Sequence, residues 1–215
     1  MKIIEPYAKL LDLPDREAGI ELLRKVEYIA RVSHRTEDNA TPDSWDRFLR
    51  SVVLGHGDFS VIEHVSLTVE AEVDRGITHE WVRHRIGAYT QESTRFVNYN
   101  KNEIRFVMPS LKSDKSLWLH AIEEAEHSYN TLLTNGEAPQ IARSVLPNGL
   151  ASKIIVTYNL RAWRHFFIMR TCREAHPQMK QVTIPLLQEF QQKIPILYED
   201  IIPEIKQSEA MRLLR

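Results

Sequence analysis

The sequence contains almost no cysteine. Cys172 is the only one among 215 residues, so no intrachain disulfide can form and a zinc site built from several thiolates is excluded. Long apolar runs are also missing, since no stretch approaches the roughly 18 residues that a membrane span needs. The first six residues, Met1 to Pro6, lack the apolar run of a signal peptide. We therefore expect a cytoplasmic protein without a membrane partner.

An excess of charge of one sign is absent as well. Lys and Arg number 28 against 29 Asp and Glu, which gives a formal net charge of -1. Proteins that bind nucleic acid usually carry a basic excess, so we predict no nucleic-acid partner and expect any anion site to be a local cluster of cations. No linker, repeat or shift in composition divides the chain, and we predict a single domain over residues 1–215.

Glycine is scarce, with seven residues in the chain. Gly55-His56-Gly57 lacks the third glycine of a dinucleotide fingerprint, and no P-loop is present. A flavin or nicotinamide would therefore bind outside a Rossmann turn.

Metal-binding patterns are incomplete. His79 and His84 are five residues apart, about 140° around a helix, so they cannot share a metal as an i,i+4 pair does. Glu124-x-x-His127 is half of a di-iron motif that needs a second copy and further glutamates. We predict no metal.

Periodicity predicts more helices than strands. Residues 65–74 alternate strictly between apolar and polar side chains, which predicts a strand with one buried face. Asp15 is a candidate N-cap for the first helix, Thr41 for the second, and 87–99 is predicted to be an ordered loop. The other predicted elements are helices over 15–30, 41–55, 77–85, 113–133, 139–146, 162–172 and 184–198, and strands over 104–108 and 153–158. Because helices and strands do not alternate, the predicted class is α+β, with a mostly antiparallel sheet and several helices.

The most unusual segment is Arg83-His84-Arg85-Ile86-Gly87-Ala88-Tyr89-Thr90-Gln91-Glu92-Ser93-Thr94-Arg95. It holds three arginines in a chain of nearly neutral charge, and the planar guanidinium group binds phosphate through paired hydrogen bonds. The segment could wrap a small phosphorylated ligand. Composition alone supports a solvated loop with surface ion pairs equally well.

A second group of arginines lies downstream. Arg143 precedes Pro147, and Arg170 ends the apolar run Phe166–Met169. A buried arginine needs an anionic or polar partner. The alternative is an ordinary helix C-terminus, where a cation favours the helix dipole.

Together these motifs resemble the flavin-dependent thymidylate synthase family. The family signature is Arg-His-Arg-x-x-Ser-x-Asn-x-x-Ser-x-Arg, and residues 83–95 keep its spacing, with Ala88 and Thr90 in place of the inner Ser and Asn. Further similarities follow in order along the chain, at Ala30-Arg31-Val32-Ser33, Glu63-His64, Ala142-Arg143-x-x-Leu146-Pro147, Asn159 and Arg170. Glu80 and His165 stand where the family commonly has Gln and Asn.

The resemblance implies a thymidylate synthase-complementing protein fold, assembled as a homotetramer with active sites shared between subunits. It implies reductive methylation of dUMP to dTMP, with FAD as hydride carrier, NADPH as reductant and methylene-tetrahydrofolate as carbon donor. The implied catalytic residue is Arg170. The implied dUMP contacts are Glu80, Trp81, Val82, Arg83, Gln91, Glu92, Ser93, Thr94, Arg95, Arg143 and Arg170. The implied flavin contacts are Ser60, Glu63, Arg83, His84, Arg85, Ile86, Gln91, Asn159, Arg161 and His165.

Two alternatives stay open at this point. One is an enzyme of the same fold that methylates another pyrimidine nucleotide, such as UMP, and the other is a non-catalytic nucleotide- or RNA-binding module. No protein nucleophile is implied, so Ser93 is interpreted as a ligand-positioning hydroxyl. Cys172 is not expected to be catalytic, since on a helix continuing through it the thiol would point away from Arg170.

Overall fold

The computed structural model describes residues 1–99 and 102–204. They group into two compact units. The first unit comprises residues 1–7, 71–83 and 89–155, and the second comprises 8–70, 84–88 and 156 onward. The predicted single domain over 1–215 includes residues 205–215, which lie outside the described residues. Within the described ranges, no helix is both long and apolar enough to cross a membrane.

Within the described part of the chain, the strands form two sheets. In chain order the strands are β1 (Lys2–Ile4), β2 (Tyr7–Leu10), β3 (Ser66–Asp74), β4 (Ala88–Gln91), β5 (Arg105–Val107) and β6 (Ala151–Asn159). β1 pairs in parallel with β5, with Ile3 opposite Phe106. The larger sheet is mostly antiparallel and has the order β2-β3-β6-β4. The alternation in β3 is confirmed, because Leu67, Val69 and Val73 are all buried.

The helices confirm the α+β class. In chain order they are α1 (Arg16–Val32), α2 (Ser44–Leu49), α3 (Arg75–Trp81), α4 (Ser116–Thr134), α5 (Pro139–Ala142), α6 (Leu160–Arg170) and α7 (Pro177–Lys193). The predicted cap of α1 is confirmed, as Asp15 Oδ1 accepts a hydrogen bond of 2.9 Å from the Ala18 amide.

Several predicted boundaries are wrong. The predicted loop over 87–99 contains the strand β4. Directly after β4, the Glu92 amide donates a hydrogen bond of 2.9 Å to the carbonyl of Lys153 in the neighbouring strand β6. The helix predicted to start at Thr41 starts at Ser44 and continues as a π-helical segment, Arg50–Gly55. In this wider turn Val53 is fully buried, whereas Val52 is only partly buried.

The last two helices also differ from prediction. α6 ends at Arg170 rather than at residue 172, because Thr171 leaves helical geometry (φ -112°) and its hydroxyl donates to the Phe167 carbonyl. α7 starts seven residues before the predicted 184, capped by the His176 side chain, and it ends at Lys193. Pro185 lies inside α7 and not at its start, so tertiary packing outweighs the helix-breaking tendency of proline here.

Each unit has its own core. In the first unit, Tyr99, Phe106, Ile122, Tyr129 and Leu150 pack together between α4 and the small sheet. In the second unit the core is aromatic and includes Tyr158, Trp163, Phe166, Phe167, Phe190 and Tyr198, with ring centroids 4.6 to 6.0 Å apart. These rings hold the buried face of α6, which leaves its other face, with Arg161 and His165, exposed.

Candidate active site

In the first unit, Gln91 is the last residue of β4, and its side chain is hydrogen-bonded to two buried hydroxyl groups. Its Nε2 donates to Thr78 Oγ1 at 2.9 Å and to Ser152 Oγ at 3.0 Å. Thr78 comes from α3, which begins where the Asp74 carboxylate accepts the Ile77 amide at 2.7 Å. Ser152 comes from β6. Both hydroxyl residues are fully buried, so Gln91 is anchored to rigid elements.

The segment after Gln91 forms a tight turn. The Ser93 carbonyl accepts the amides of Phe96 and Val97, and Ser93 Oγ accepts the Arg95 amide at 3.3 Å. The turn leaves Arg95 exposed, with its guanidinium carbon 5.4 Å from the centre of the Phe96 ring. An exposed guanidinium beside backbone amides and hydroxyls is suited to a phosphate group.

Arg143 reaches the same turn. Its Nη1 donates to Thr94 Oγ1 at 2.8 Å, and Thr94 is buried. α5 and the 3₁₀ turn after it carry Arg143 to this position. The structure thus brings together two arginines, Arg95 and Arg143, that are far apart in sequence.

The Glu92 carboxylate is engaged within its own loop. It accepts hydrogen bonds from the Tyr99 hydroxyl at 2.7 Å and from Arg105 at 3.4 Å. Burial first, and then the bond to Glu92, raise the pKa of Tyr99 above its usual value. Arg105 also lies 3.0 Å from the Glu72 carboxylate. These contacts order the loop, and a role for Glu92 toward a nucleotide stays a prediction.

The other first-unit residues implied by the resemblance lie at the end of α3. Glu80 is half-buried, Trp81 is fully buried, and Val82 and Arg83 are exposed. The Trp81 side chain therefore belongs to the core, and its carbonyl accepts the Tyr89 hydroxyl at 3.4 Å. Arg83 is the one of these four that offers an exposed charge.

In the second unit, His84 and Arg170 are in direct contact. Arg170 Nε donates to His84 Nε2 at 2.8 Å. Because a guanidinium nitrogen can only donate, His84 Nε2 accepts, and the neutral ring carries its proton on Nδ1. Burial, then the charges of Arg170 and His165, lower the pKa of His84 to about 4. The imidazole is therefore neutral near pH 7.

The His84 ring is fixed by aromatic neighbours. It lies edge-on to Phe166 at 5.0 Å and to His165 at 5.8 Å. Phe166 belongs to the aromatic core, so α6 sets both the position of His84 and that of Arg170.

The remaining flavin residues implied by the resemblance lie at the start of α6, in the 3₁₀ turn Phe59–His64 and at positions 85 and 86. Asn159 caps this helix by accepting the Ala162 amide at 2.8 Å, and Arg161 forms an ion pair with Glu63 at 2.5 Å. Ser60 lies exposed in the 3₁₀ turn Phe59–His64. Arg85 is exposed, and Ile86 is 91% exposed.

This set of side chains fits FAD chemically. Exposed Arg85 and Arg161 can pair with a diphosphate, and Glu63 can accept from hydroxyl groups.

Most residues implied for dUMP lie in the first unit, and Arg170 lies in the second. Most residues implied for flavin lie in the second unit, whereas Arg83 and Gln91 lie in the first.

Sequence reasoning missed Thr78 and Ser152. Ser152 shares the buried face of β6 with Ile154 and Val156. A buried hydroxyl needs a hydrogen-bond partner. Ser152 would therefore have stood out if the strand had been predicted to start at residue 151, but it was predicted to start at 153.

Cys172 requires a corrected argument. α6 does not continue through it, so the angular argument from an unbroken helix is wrong. Instead the Cys172 thiol is directed to the Met169 carbonyl, 3.2 Å away. Cys172 lines a small pocket together with Ile168, Thr171 and residues 200–202 and 204. None of these residues is implied in the site by the resemblance. That Cys172 is not catalytic stays a prediction.

Comparison with known proteins decides the family. The family model described as "Thymidylate synthase complementing protein" matches residues 14–196, well over half of the chain. The chain belongs to this family.

Curated relatives carry the name flavin-dependent thymidylate synthase. The Pyrococcus abyssi protein is 37% identical over 161 residues, which cover 72% of this chain and 64% of that protein. The Corynebacterium efficiens protein is 34% identical over 205 residues, covering 85% of this chain and 80% of that protein. This chain thus spans just under two thirds of the length of the Pyrococcus relative.

A solved structure supports the fold. The UMP/dUMP methylase PolB from Streptomyces cacaoi, bound with 5-Br dUMP, matches with a TM-score of 0.77 at 24% identity, covering 93% of this chain and 96% of that chain. At this identity the similarity shows a shared fold, in agreement with the predicted thymidylate synthase-complementing protein architecture.

Proposed function

We propose that this chain is a flavin-dependent thymidylate synthase. It converts dUMP to dTMP, with FAD as bound cofactor and with NADPH and methylene-tetrahydrofolate as co-substrates. The observation that carries the proposal is the family match over residues 14–196, together with curated relatives of that name. The clustering of Arg95 and Arg143 around one turn supports it.

The nucleotide part of the site is assigned to the turn of residues 91–95. Arg95 and Arg143 bind the anionic phosphate or the polar edge of the ring, and Ser93 and Thr94 supply hydroxyls. Bound to both arginines, the pyrimidine is held in one orientation, which is the proximity contribution to catalysis.

The flavin part is assigned to α6 and its neighbours. His84, Arg85, Asn159, Arg161 and His165 hold FAD, and Glu63 fixes the direction of Arg161 through their ion pair. When bound, FAD supplies the hydride-carrying chemistry, which belongs to the cofactor.

Arg170 is the proposed catalytic residue. Its guanidinium stabilises the negative charge that develops on N3 and the carbonyl oxygens of uracil when carbon 5 becomes nucleophilic. The hydrogen bond from Arg170 Nε to His84 Nε2, 2.8 Å long, helps to orient this guanidinium.

We also propose a homotetramer whose active sites combine residues from different subunits. The absence of a self-contained dinucleotide turn in the sequence motivates this arrangement. Size-exclusion chromatography with absorbance at 280 and about 450 nm tests it, since dissociation should release the flavin. A monomer that retains its full flavin content contradicts the shared site.

The activity test measures dTMP formation by purified protein after reconstitution with FAD. We expect turnover that requires dUMP, NADPH and methylene-tetrahydrofolate together, and a protein with the visible absorption of a flavin. A protein that binds neither flavin nor dUMP contradicts the proposal and favours a different role for the arginines.

One alternative substrate has a specific observation in its favour. The matched solved structure is named a UMP/dUMP methylase, and Ala88 and Thr90 depart from the family signature. Comparing kcat/KM for dUMP and UMP in the same preparation distinguishes the two substrates. We expect dUMP to be preferred.

A further inference from the structure

The side-chain amide of Gln91 has a chemically determined orientation. Amide oxygen and nitrogen are usually assigned from the surrounding hydrogen bonds, and here those bonds leave a single solution. The only hydroxyl hydrogen of Thr78 is donated to the Arg75 carbonyl at 2.9 Å. Thr78 Oγ1 can therefore only accept from Gln91, so the NH₂ group of Gln91 must face it.

Both hydrogens of this NH₂ group are used. One is donated to Thr78 Oγ1 at 2.9 Å and the other to Ser152 Oγ at 3.0 Å. What Gln91 can offer a ligand is therefore its carbonyl oxygen, which lies on the other side of the amide from the two hydroxyls. Gln91 is half-buried and is the first residue of the segment 91–95, to which the nucleotide is assigned.

The chemistry of dUMP restricts what such an oxygen can recognise. At neutral pH the nucleotide has two neutral hydrogen-bond donors, the uracil N3–H and the 3′-hydroxyl. Its phosphate oxygens and both uracil carbonyls accept. An acceptor held in one orientation is complementary to one of the two donors and repels the other polar groups.

We propose that Thr78 and Ser152 are positioning residues that hold Gln91 as a hydrogen-bond acceptor for a donor group of the pyrimidine nucleotide. This inference rests on the proposed function. Thr78 and Ser152 touch Gln91 and not the nucleotide, and their effect is to prevent the amide from rotating and presenting its NH₂ group. An amide that could rotate freely would bond to donor groups through its oxygen or to acceptor groups through its NH₂ group. It would therefore discriminate poorly between nucleotides that differ in these groups.

The test uses two nucleotide analogues, N3-methyl-dUMP and 2′,3′-dideoxy-UMP, each of which lacks one donor. For the wild-type holoenzyme we expect one of them to bind roughly 10- to 100-fold more weakly than dUMP, the effect of leaving a buried acceptor unpaired. Calorimetric titration of each nucleotide gives the Kd, and the analogue that loses affinity identifies the donor. If wild type binds dUMP and both analogues equally, the inference is wrong.

The variant Thr78→Val removes the fixed hydroxyl and keeps the shape of the side chain. We expect the discrimination between dUMP and the sensitive analogue to fall roughly 10-fold, since Gln91 can then rotate. Thr78→Ser should restore it. Full discrimination in Thr78→Val, with the melting temperature unchanged, overturns the inference.

Two further variants separate positioning from stability. Ser152→Ala removes the second hydroxyl and provides an independent test if Thr78→Val does not fold. Thr68→Val is the matched control, because it makes the same change at a threonine whose Oγ1 is hydrogen-bonded to Thr157 Oγ1 at 3.0 Å, whereas Gln91 bonds to Thr78 and Ser152. The control should leave the discrimination unchanged. A wild-type protein that does not bind dUMP at all contradicts the proposed function itself, which distinguishes the two failures.

Discussion

Gly87 lies inside the arginine-rich segment, against the ring of Tyr158. A Cβ atom at position 87 would approach Cε1 and Cδ1 of this ring closer than 3.0 Å, and it would lie 3.2 Å from the Thr157 carbonyl oxygen. Real Cβ atoms essentially never make such close contacts. Gly87→Ala therefore requires the Tyr158 ring to move.

The ring has little freedom to move. Tyr158 is buried, with Trp163 at 4.6 Å and Phe166 at 6.0 Å between ring centroids. Overpacking a close-packed core costs about 1–3 kcal/mol. Because the new Cβ would overlap with two atoms of the ring, we expect a cost near the upper end of this range, a decrease of about 3 kcal/mol in the free energy of unfolding. For a chain of this size that corresponds to a fall of roughly 6–12 °C in Tm.

The assay is urea or thermal unfolding of Gly87→Ala beside a matched control, Gly55→Ala. The Cβ of the control would meet only the Arg50 carbonyl oxygen at 3.5 Å, an ordinary contact. We expect the control to be neutral or slightly stabilised, by about 0.4–1 kcal/mol.

A double-mutant cycle assigns the clash to Tyr158. In a Tyr158→Ala background the ring is gone and only the tight contact with the Thr157 carbonyl oxygen remains, so adding Gly87→Ala should cost much less than in wild type. If Gly87→Ala leaves Tm unchanged, or if it costs as much without the Tyr158 ring as with it, the reasoning from this contact is wrong.

Three further predictions concern the site. Arg143→Ala should raise the Kd for dUMP roughly 30- to 1,000-fold, which is a loss of about 2–4 kcal/mol in binding free energy, because the guanidinium bound to Thr94 is lost. Arg143→Lys is the control, and unchanged dUMP affinity in Arg143→Ala would remove Arg143 from the nucleotide site. The pKa of His84 is lowered to about 4 by burial and then by the charge of Arg170. The unfolded chain therefore binds a proton at His84 more readily than the folded protein does, and the free energy of unfolding should decrease as pH falls from about 6.5 to 4. Tm measured across this range should fall more steeply for wild type than for His84→Gln, and parallel curves would contradict the shift. Cys172→Ala should keep most dTMP formation at saturating dUMP while Arg170→Ala loses nearly all of it; a folded, flavin-containing Cys172→Ala protein without activity would make the thiol catalytic.

Local pattern was sufficient for elements whose burial is one-sided. The strict alternation of residues 65–74 predicted β3, and Asp15 predicted the start of α1, since each signal is contained in a few neighbouring residues. The arginine-rich segment resembles the family signature, and the match of the family model confirms the family.

The features that the sequence could not determine depend on distant partners. β4 exists because β6, about 60 residues later in the sequence, pairs with it. The contact between Arg170 and His84 joins residues 86 positions apart, and no local pattern reports such a pair.

The sequence by itself determined which residue types could bind an anionic nucleotide and a flavin. Only the tertiary structure decided what each can offer. Gln91 could donate or accept according to the sequence, and His84 could be charged or neutral. Buried hydroxyls from α3 and β6 make Gln91 an acceptor, and burial against α6 keeps His84 neutral. Hydrogen-bond direction and protonation depend on three-dimensional surroundings, which chain order alone does not specify.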